Sequence, residues 1–339
     1  MRLADHADGE APAFAPRLWW RRPGFRALAA LLLVIGLGLV FHADGAFFSW
    51  STHRDMLRHV SVYGILACGM TLVIIGGGID LAVGSVLAFA AVFFSLASLR
   101  WGWPLAAAAP AALLAGMGCG LLSGGLIARF RVQPFIATLA MMVFARGLAK
   151  WVSGGQKIST VVQLADGSFR YGGPPPFFEF LNARVLGGHV AVVTLVFLAC
   201  AAACGVLLAR LRWGRYVYAM GGGEESARLS GLPVGGLKLL VYGLSGLFSA
   251  VAGICQAAQE LQGDPEAGGG YELSAIAMVV IGGTSLAGGR GGIGLTLLGV
   301  LTIGYLEKIL SINAVGEAGR LMLTGLIVAG AVLFQRSQP

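Results

Sequence analysis

Asp80 is the residue whose setting most invites chemistry: a single carboxylate within the apolar stretch Gly69-Met70-Thr71-Leu72-Val73-Ile74-Ile75-Gly76-Gly77-Gly78-Ile79-Asp80-Leu81-Ala82-Val83-Gly84-Ser85. Gly77 and Gly78 let the backbone leave a helix. An ionisable group at such a break is expected to face protein or water, as on a polar translocation path. The plainer reading, which we prefer, is a tight turn at the cytoplasmic edge with Asp80 capping the exposed N–H groups of the next helix. A second β-branched apolar run ends in Ile281-Gly282-Gly283-Thr284-Ser285-Leu286-Ala287-Gly288-Gly289-Arg290-Gly291-Gly292. Matching interruptions in two halves point to a central pathway, with chance likeness of glycine-rich connections as the alternative.

Other polar residues near apolar runs are weaker candidates. Gln133-Pro134-Phe135-Ile136-Ala137-Thr138 opens a span with proline in the first turn, where its missing N–H costs little, and Thr138 follows as a candidate on the path. Gln256, Glu260 and Glu272, within a polar stretch that includes Gln259, Gln262, Asp264, Glu266 and Tyr271, could hydrogen-bond a polyhydroxylated solute. A solvated extracytoplasmic loop explains the same composition and is preferred. Enzyme chemistry finds no foothold. There is no Gly-x-x-x-x-Gly-Lys-[Ser/Thr] phosphate loop and no His-Glu-x-x-His among the five histidines. Cys68, Cys119, Cys200, Cys204 and Cys255 all sit in apolar runs and read as small hydrophobes. No catalytic residue, metal ligand or cofactor is nominated.

A different kind of polar segment lies between two hydrophobic blocks, from Gly214 to Pro233. Glu224 and Glu225 follow three glycines, suiting the positive end of a helix, and Arg228 can pair back one turn to Glu224. Gly231 and Pro233 stop it. A helix this short is unstable alone in water, so it should be held by packing, and another protein is the expected support.

The elements that position these residues follow from composition. The chain has 339 residues, is 57% hydrophobic and 12% charged, and has a mean hydropathy of +0.79. That is an all-α polytopic membrane protein. Runs of spanning length fall near 26–45, 57–77, 80–99, 104–128, 134–152, 189–209, 238–259, 272–288, 292–311 and 320–335, about ten helices. Arg17, Arg21, Arg22 and Arg26 keep the N-terminal tail, residues 1–25, cytoplasmic. Alternation then puts Arg129, Arg131, Arg210, Arg212, Arg215, Arg228, Lys238, Arg290 and Arg336 inside, with both termini. Residues 153–188 become a long extracytoplasmic loop with a partly helical or re-entrant piece, and 210–237 a cytoplasmic loop. Residues 26–336 form one transmembrane domain. The net charge of +8 sits at the ends of apolar runs, so it reads as topology, not nucleic-acid binding.

The same residues resemble the permease subunits of bacterial ABC importers of the ribose, xylose and galactose type. The likeness is carried by Gly-Gly-Ile-Asp-Leu-x-Val-Gly-Ser within Gly69–Ser85, by Pro-Phe-Ile-x-Thr-Leu and Arg146-Gly147-Leu148 within 133–148, and by Arg215–Gly292. The last includes Gly-Gly-x-Glu-Glu-x-Ala-Arg-Leu-Ser-Gly, Tyr271-Glu272-Leu273 and Val280-Ile281-Gly282-Gly283-Thr284-Ser285-Leu286. The resemblance implies a separate cytoplasmic ABC ATPase, a second permease copy or paralogue, and a periplasmic sugar-binding protein. It also implies that Glu224, Glu225, Ala227, Arg228 and Gly231 form the ATPase-coupling segment. The chain departs from the family pattern at Gly223 (commonly Asn), Ala82 (commonly Ser), Thr324-Gly325 (commonly Lys-Gly) and Gln262–Gly269. The competing reading is an ion-coupled secondary transporter with Asp80 as its ion site.

Overall fold

Backbone polar groups within lipid must be satisfied inside their own segment, and long apolar runs do this as helices. The computed structural model describes residues 23–163, 168–316, 318–323 and 325–326. The helices are α1 (Pro23–Val40), α2 (Trp50–Ile75), α3 (Val83–Ser95), α4 (Leu105–Phe130), α5 (Pro134–Ser153), α6 (Pro176–Asn182), α7 (Val192–Arg210), α8 (Arg212–Gly222), α9 (Glu224–Leu229), α10 (Val234–Glu260), α11 (Tyr271–Ile281) and α12 (Ile293–Ile312). Short strands pair two by two: β1 (Ile158–Ser159) with β6 (Gln262–Gly263), β2 (Val161–Gln163) with β3 (Phe169–Tyr171), and β4 (Arg184–Val185) with β5 (Val190–Ala191). The fold is all-α.

Among the described residues, 8 helices are long and apolar enough to cross a membrane: α1, α2, α3 continued to Arg100, α4, α5, α7, α10 and α12. They meet eight of the ten expected spans. The expected span 272–288 shrinks to the 11 residues of α11, because Gly282 and Gly283 end the helix. The span 320–335 lies mostly outside the described residues, as do Arg17, Arg21, Arg22, Thr324 and Arg336.

α2, α3 and α10 form the interior, with 83%, 78% and 67% of their apolar windows buried, whereas α4 and α5 are each only 28% buried. The most extensive packing joins α4 to α10. Gly116, Gly120 and Gly124 recur every fourth residue on α4, and a Cβ at Gly120 would strike the Tyr242 carbonyl. Small residues at this spacing let two backbones touch, which is how helices associate where no hydrophobic effect drives them together.

The helices alternate in direction and give the bundle two ends. At one end Trp50 Nε1 donates to His189 Nδ1 and Arg54 Nη1 to the Gly188 carbonyl, which ties the start of α2 to the folded segment before α7. That segment contains α6 and the paired strands, so the expectation of a partly helical loop is met. At the other end lie the C-termini of α2, α4 and α7 and the start of α10, together with α8 and α9.

Candidate translocation path and coupling segment

Asp80 sits at mid-height in the bundle, not at its edge. Its Oδ2 accepts from Ser245 Oγ at 2.7 Å, and Ser245 lies near the middle of α10. Its Oδ1 accepts from the Ala82 N–H at 2.9 Å, closing a turn into α3. Ala82 is the N-cap of α3 and makes no side-chain cap bond, so the carboxylate two residues earlier supplies the polar contact. The expected turn is present, and Gly76–Leu81 is a segment without helix that links the end of α2 to α3 beside α10. Asp80 is only 3% exposed, so it is enclosed, and nothing around it favours an ion site.

Three other candidates gather at the same break. Gly77 adopts φ 84°, a conformation that side chains rarely take, and faces Gly221. Gly78 lies against the Tyr242 hydroxyl. Thr138 Oγ1 donates at 2.9 Å to Pro134 O and reaches Ile79 O at 3.3 Å, stitching α5 to the break. Thr138 is fully buried, whereas Gly78 is half-buried and Gly77 is exposed.

Gln256 and Glu260 bond each other through Nε2 and Oε1 near the opposite end of α10. The Tyr63 and Tyr271 rings lie close by, 4.3 Å apart between centroids. Glu272 belongs elsewhere. It lines a cavity with Ser85, Met142, Val143, Arg146 and Gly269. The stretch preferred as a solvated loop is instead seated against the bundle. Gly263 packs on Ala91 and Val92, and Gly268 on the backbone of Gly84, so Leu261–Gly270 runs inward along α3 to where α11 begins. Arg146 Nη1 holds it there, donating to Pro265 O at 2.5 Å and Ala267 O at 2.7 Å. A polar composition can thus mark an inward-folded segment when an arginine on a neighbouring helix takes up its carbonyls. Arg146 and Ser85 were not nominated from the sequence. Arg146 had a usable signal, since an arginine inside an apolar run demands a reason.

The coupling candidates form one small structure. α9 is a 6-residue helix. Glu224 Oε1 contacts Arg228 Nη2 at 2.9 Å and Lys238 Nζ at 2.8 Å, while Glu225 reaches Arg228 at 3.5 Å. Ala227 is buried in the chain's own core and Gly231 turns the chain at φ 80°. Within this chain α9 is held by Ala227 and by Lys238 at the base of α10. Gly223 is extended at φ 173°, a conformation open to any residue, asparagine included.

The two glycine interruptions meet against the end of α8. Gly289 N–H donates to Ile75 O at 2.9 Å, satisfying a carbonyl that the end of α2 leaves open. α8 is wedged against both breaks. Gly221 packs so tightly on Ile75 and on Gly288–Gly289 that a Cβ there would strike the Ile75 carbonyl. Tyr218 Oη donates to Gly291 O at 2.9 Å.

Comparison with known proteins fits this architecture. A family profile described as "Branched-chain amino acid transport system / permease component" matches residues 54–334. The chain belongs to this permease family. The ribose import permease protein of Escherichia coli is 40% identical over 312 residues, covering 91% of this chain and 92% of that protein. The L-arabinose transport system permease protein of Escherichia coli is 37% identical over 281 residues, covering 82% and 80%. The fructose import permease protein of Rhizobium meliloti is 34% identical over 313 residues, covering 90% and 82%. The permease thus carries its family's likeness across both glycine breaks, α8 and α9.

Proposed function

We propose that this permease is the transmembrane subunit of an ATP-driven importer for a pentose, a hexose or a related polyol. The observation that carries the reading is the wedging of α8 between both helix breaks, with the charged helix α9 directly after it. A partner that displaces α9 moves α8, and α8 bears on the ends of α2 and α11 at once. Rigid elements joined through backbone contact transmit such shifts because packed interfaces switch rather than deform.

In this reading the α9 end is cytoplasmic, both termini lie on that side, and the membrane is the bacterial inner membrane. Glu224, Glu225, Ala227, Arg228 and Gly231 form the docking element for a separate ABC ATPase. Leu229, 80% exposed on α9, gives that partner an apolar anchor. A second permease completes the pore, and a periplasmic sugar-binding protein delivers solute to the opposite end. The sugar names of the ribose, arabinose and fructose relatives support the substrate class. The test is uptake in proteoliposomes holding the permease, its ATPase and its binding protein. ATP-dependent accumulation of ribose, arabinose or fructose is expected. Uptake driven by an ion gradient without the ATPase would overturn the reading.

A further inference from the structure

The cleft between α3, α5 and the start of α11 is open on one side and has a volume of about 320 Å³, at the lower end of the range that small-molecule clefts occupy. Three polar groups on its walls are incompletely used. Ser85 is 3% exposed, and its hydroxyl makes no hydrogen bond among the described residues. Arg146 makes both of its bonds through Nη1, which leaves Nη2 and Nε to serve another acceptor. Glu272 stands across from Arg146, and no ion pair within 4.0 Å joins them. Glu272 accepts from the backbone N–H groups of its own residue and of Gly270, yet a half-buried guanidinium and carboxylate left unpaired across one cleft mark a place for a polar guest that can serve both.

We propose that this cavity is a solute-contact site on the import path, in which Ser85, Arg146 and Glu272 read the hydroxyls of a neutral sugar. The proposal rests on the sugar-importer reading above. Adjacent hydroxyls of one sugar can donate to Glu272 and accept from Arg146 together, so the guest bridges two charges that do not bridge each other. Met142 and Val143 offer an apolar wall to the C–H face of the ring. The paired signs leave the cavity with no net charge, which suits an uncharged guest. A zwitterionic amino acid would form two full ion pairs here. A passage site must bind weakly enough to release, which favours hydroxyls over charges. Val143 is 65% exposed on α5, so the cavity lies at the helix surface that a second permease would close over.

The experiment compares the unaltered permease with Ser85→Ala, Glu272→Gln and Val143→Trp, each reconstituted with ATPase and binding protein. Initial uptake of ribose, arabinose and fructose is measured beside ATPase stimulation by the loaded binding protein. Glu272→Gln keeps the size of the side chain and removes its charge, and is expected to lower sugar uptake about tenfold, as loss of a charge-assisted hydrogen bond does. Ser85→Ala is expected to change the ratio of rates among the three sugars. Val143→Trp, at an exposed position, is expected to block uptake by narrowing the cavity. ATPase stimulation stays within about twofold in all three. Uptake of the three sugars at unchanged rates and ratios by all variants would overturn the site while leaving the importer reading intact. Joint loss of uptake and ATPase stimulation in Glu272→Gln would also overturn it, making the cavity a structural element. Failure of the unaltered permease to take up any sugar with ATP would instead defeat the importer reading first.

Discussion

At the scale of single residues, what separates a site from a scaffold is whether a polar group's bonds are already used. Asp80 spends both oxygens on Ser245 and Ala82 and is closed from solvent. Its role is to hold the α2–α3 break against α10. Asp80→Ala leaves Ser245 and the Ala82 N–H without this partner and is expected to destabilise the protein by about 1–3 kcal/mol. Asp80→Asn keeps an acceptor for Ala82, so assembly or transport rate should fall while the preference among sugars stays fixed. Thermal unfolding in detergent and competition uptake read the two effects; a clean change of preference in Asp80→Asn would place Asp80 on the solute path after all. Gly221 has no slack of any kind. Gly221→Ala drives a methyl group into the Ile75 carbonyl, and overpacking of this sort costs about 1–3 kcal/mol, so a lower unfolding temperature and loss of uptake are expected. Unchanged stability would mean that α8 and α2 are not packed as described.

At the scale of elements, the instructive comparison is between α9 and the Leu261–Gly270 segment. The charges and stops of α9 were legible because they are local: two acidic residues after glycines, an arginine one turn on, and Gly231. The inward run of Leu261–Gly270 was not, because what seats it is distant, Arg146 on α5 and the bare backbone of Gly84 on α3. Composition alone reports such a segment as a loop. The same limit explains why both glycine breaks could be noticed while their hydrogen bond, Gly289 to Ile75, could not. For α9 itself, Glu224 pairs with Arg228, both side chains being 42–43% exposed, and with Lys238, whose side chain is 16% exposed, so reversing the charge costs about 1 kcal/mol. Glu224→Arg is therefore expected to leave folding and membrane insertion intact and to abolish stimulation of the ATPase. Ala227→Pro should do the same through loss of the helix. Normal uptake and normal ATPase stimulation in Glu224→Arg would remove α9 from the coupling path.

At the scale of the whole molecule, the span pattern, the all-α class and the family were readable from hydrophobic run length and a few motifs, since lipid leaves helices as the one economical solution. The architecture adds a division of labour along the bundle axis: α8 and α9 with the two breaks at one end, Asp80 and the Ser85–Arg146–Glu272 cavity at mid-height, and the Tyr63–Tyr271 aromatic pair beside Gln256 and Glu260 toward the other. On the proposed coupling reading, motion entering at α9 reaches the cavity through α11, which joins the second break to Glu272, and through the break that starts α3, which carries Ser85. The central claim is that this motion is powered by a separate ATPase and moves sugar. Its most direct test is sugar accumulation in sealed proteoliposomes containing the permease, its binding protein and its ATPase, with and without ATP, in the absence of any ion gradient. The account predicts accumulation that requires ATP and disappears with Glu224→Arg; accumulation without ATP once a sodium or proton gradient is imposed would contradict it.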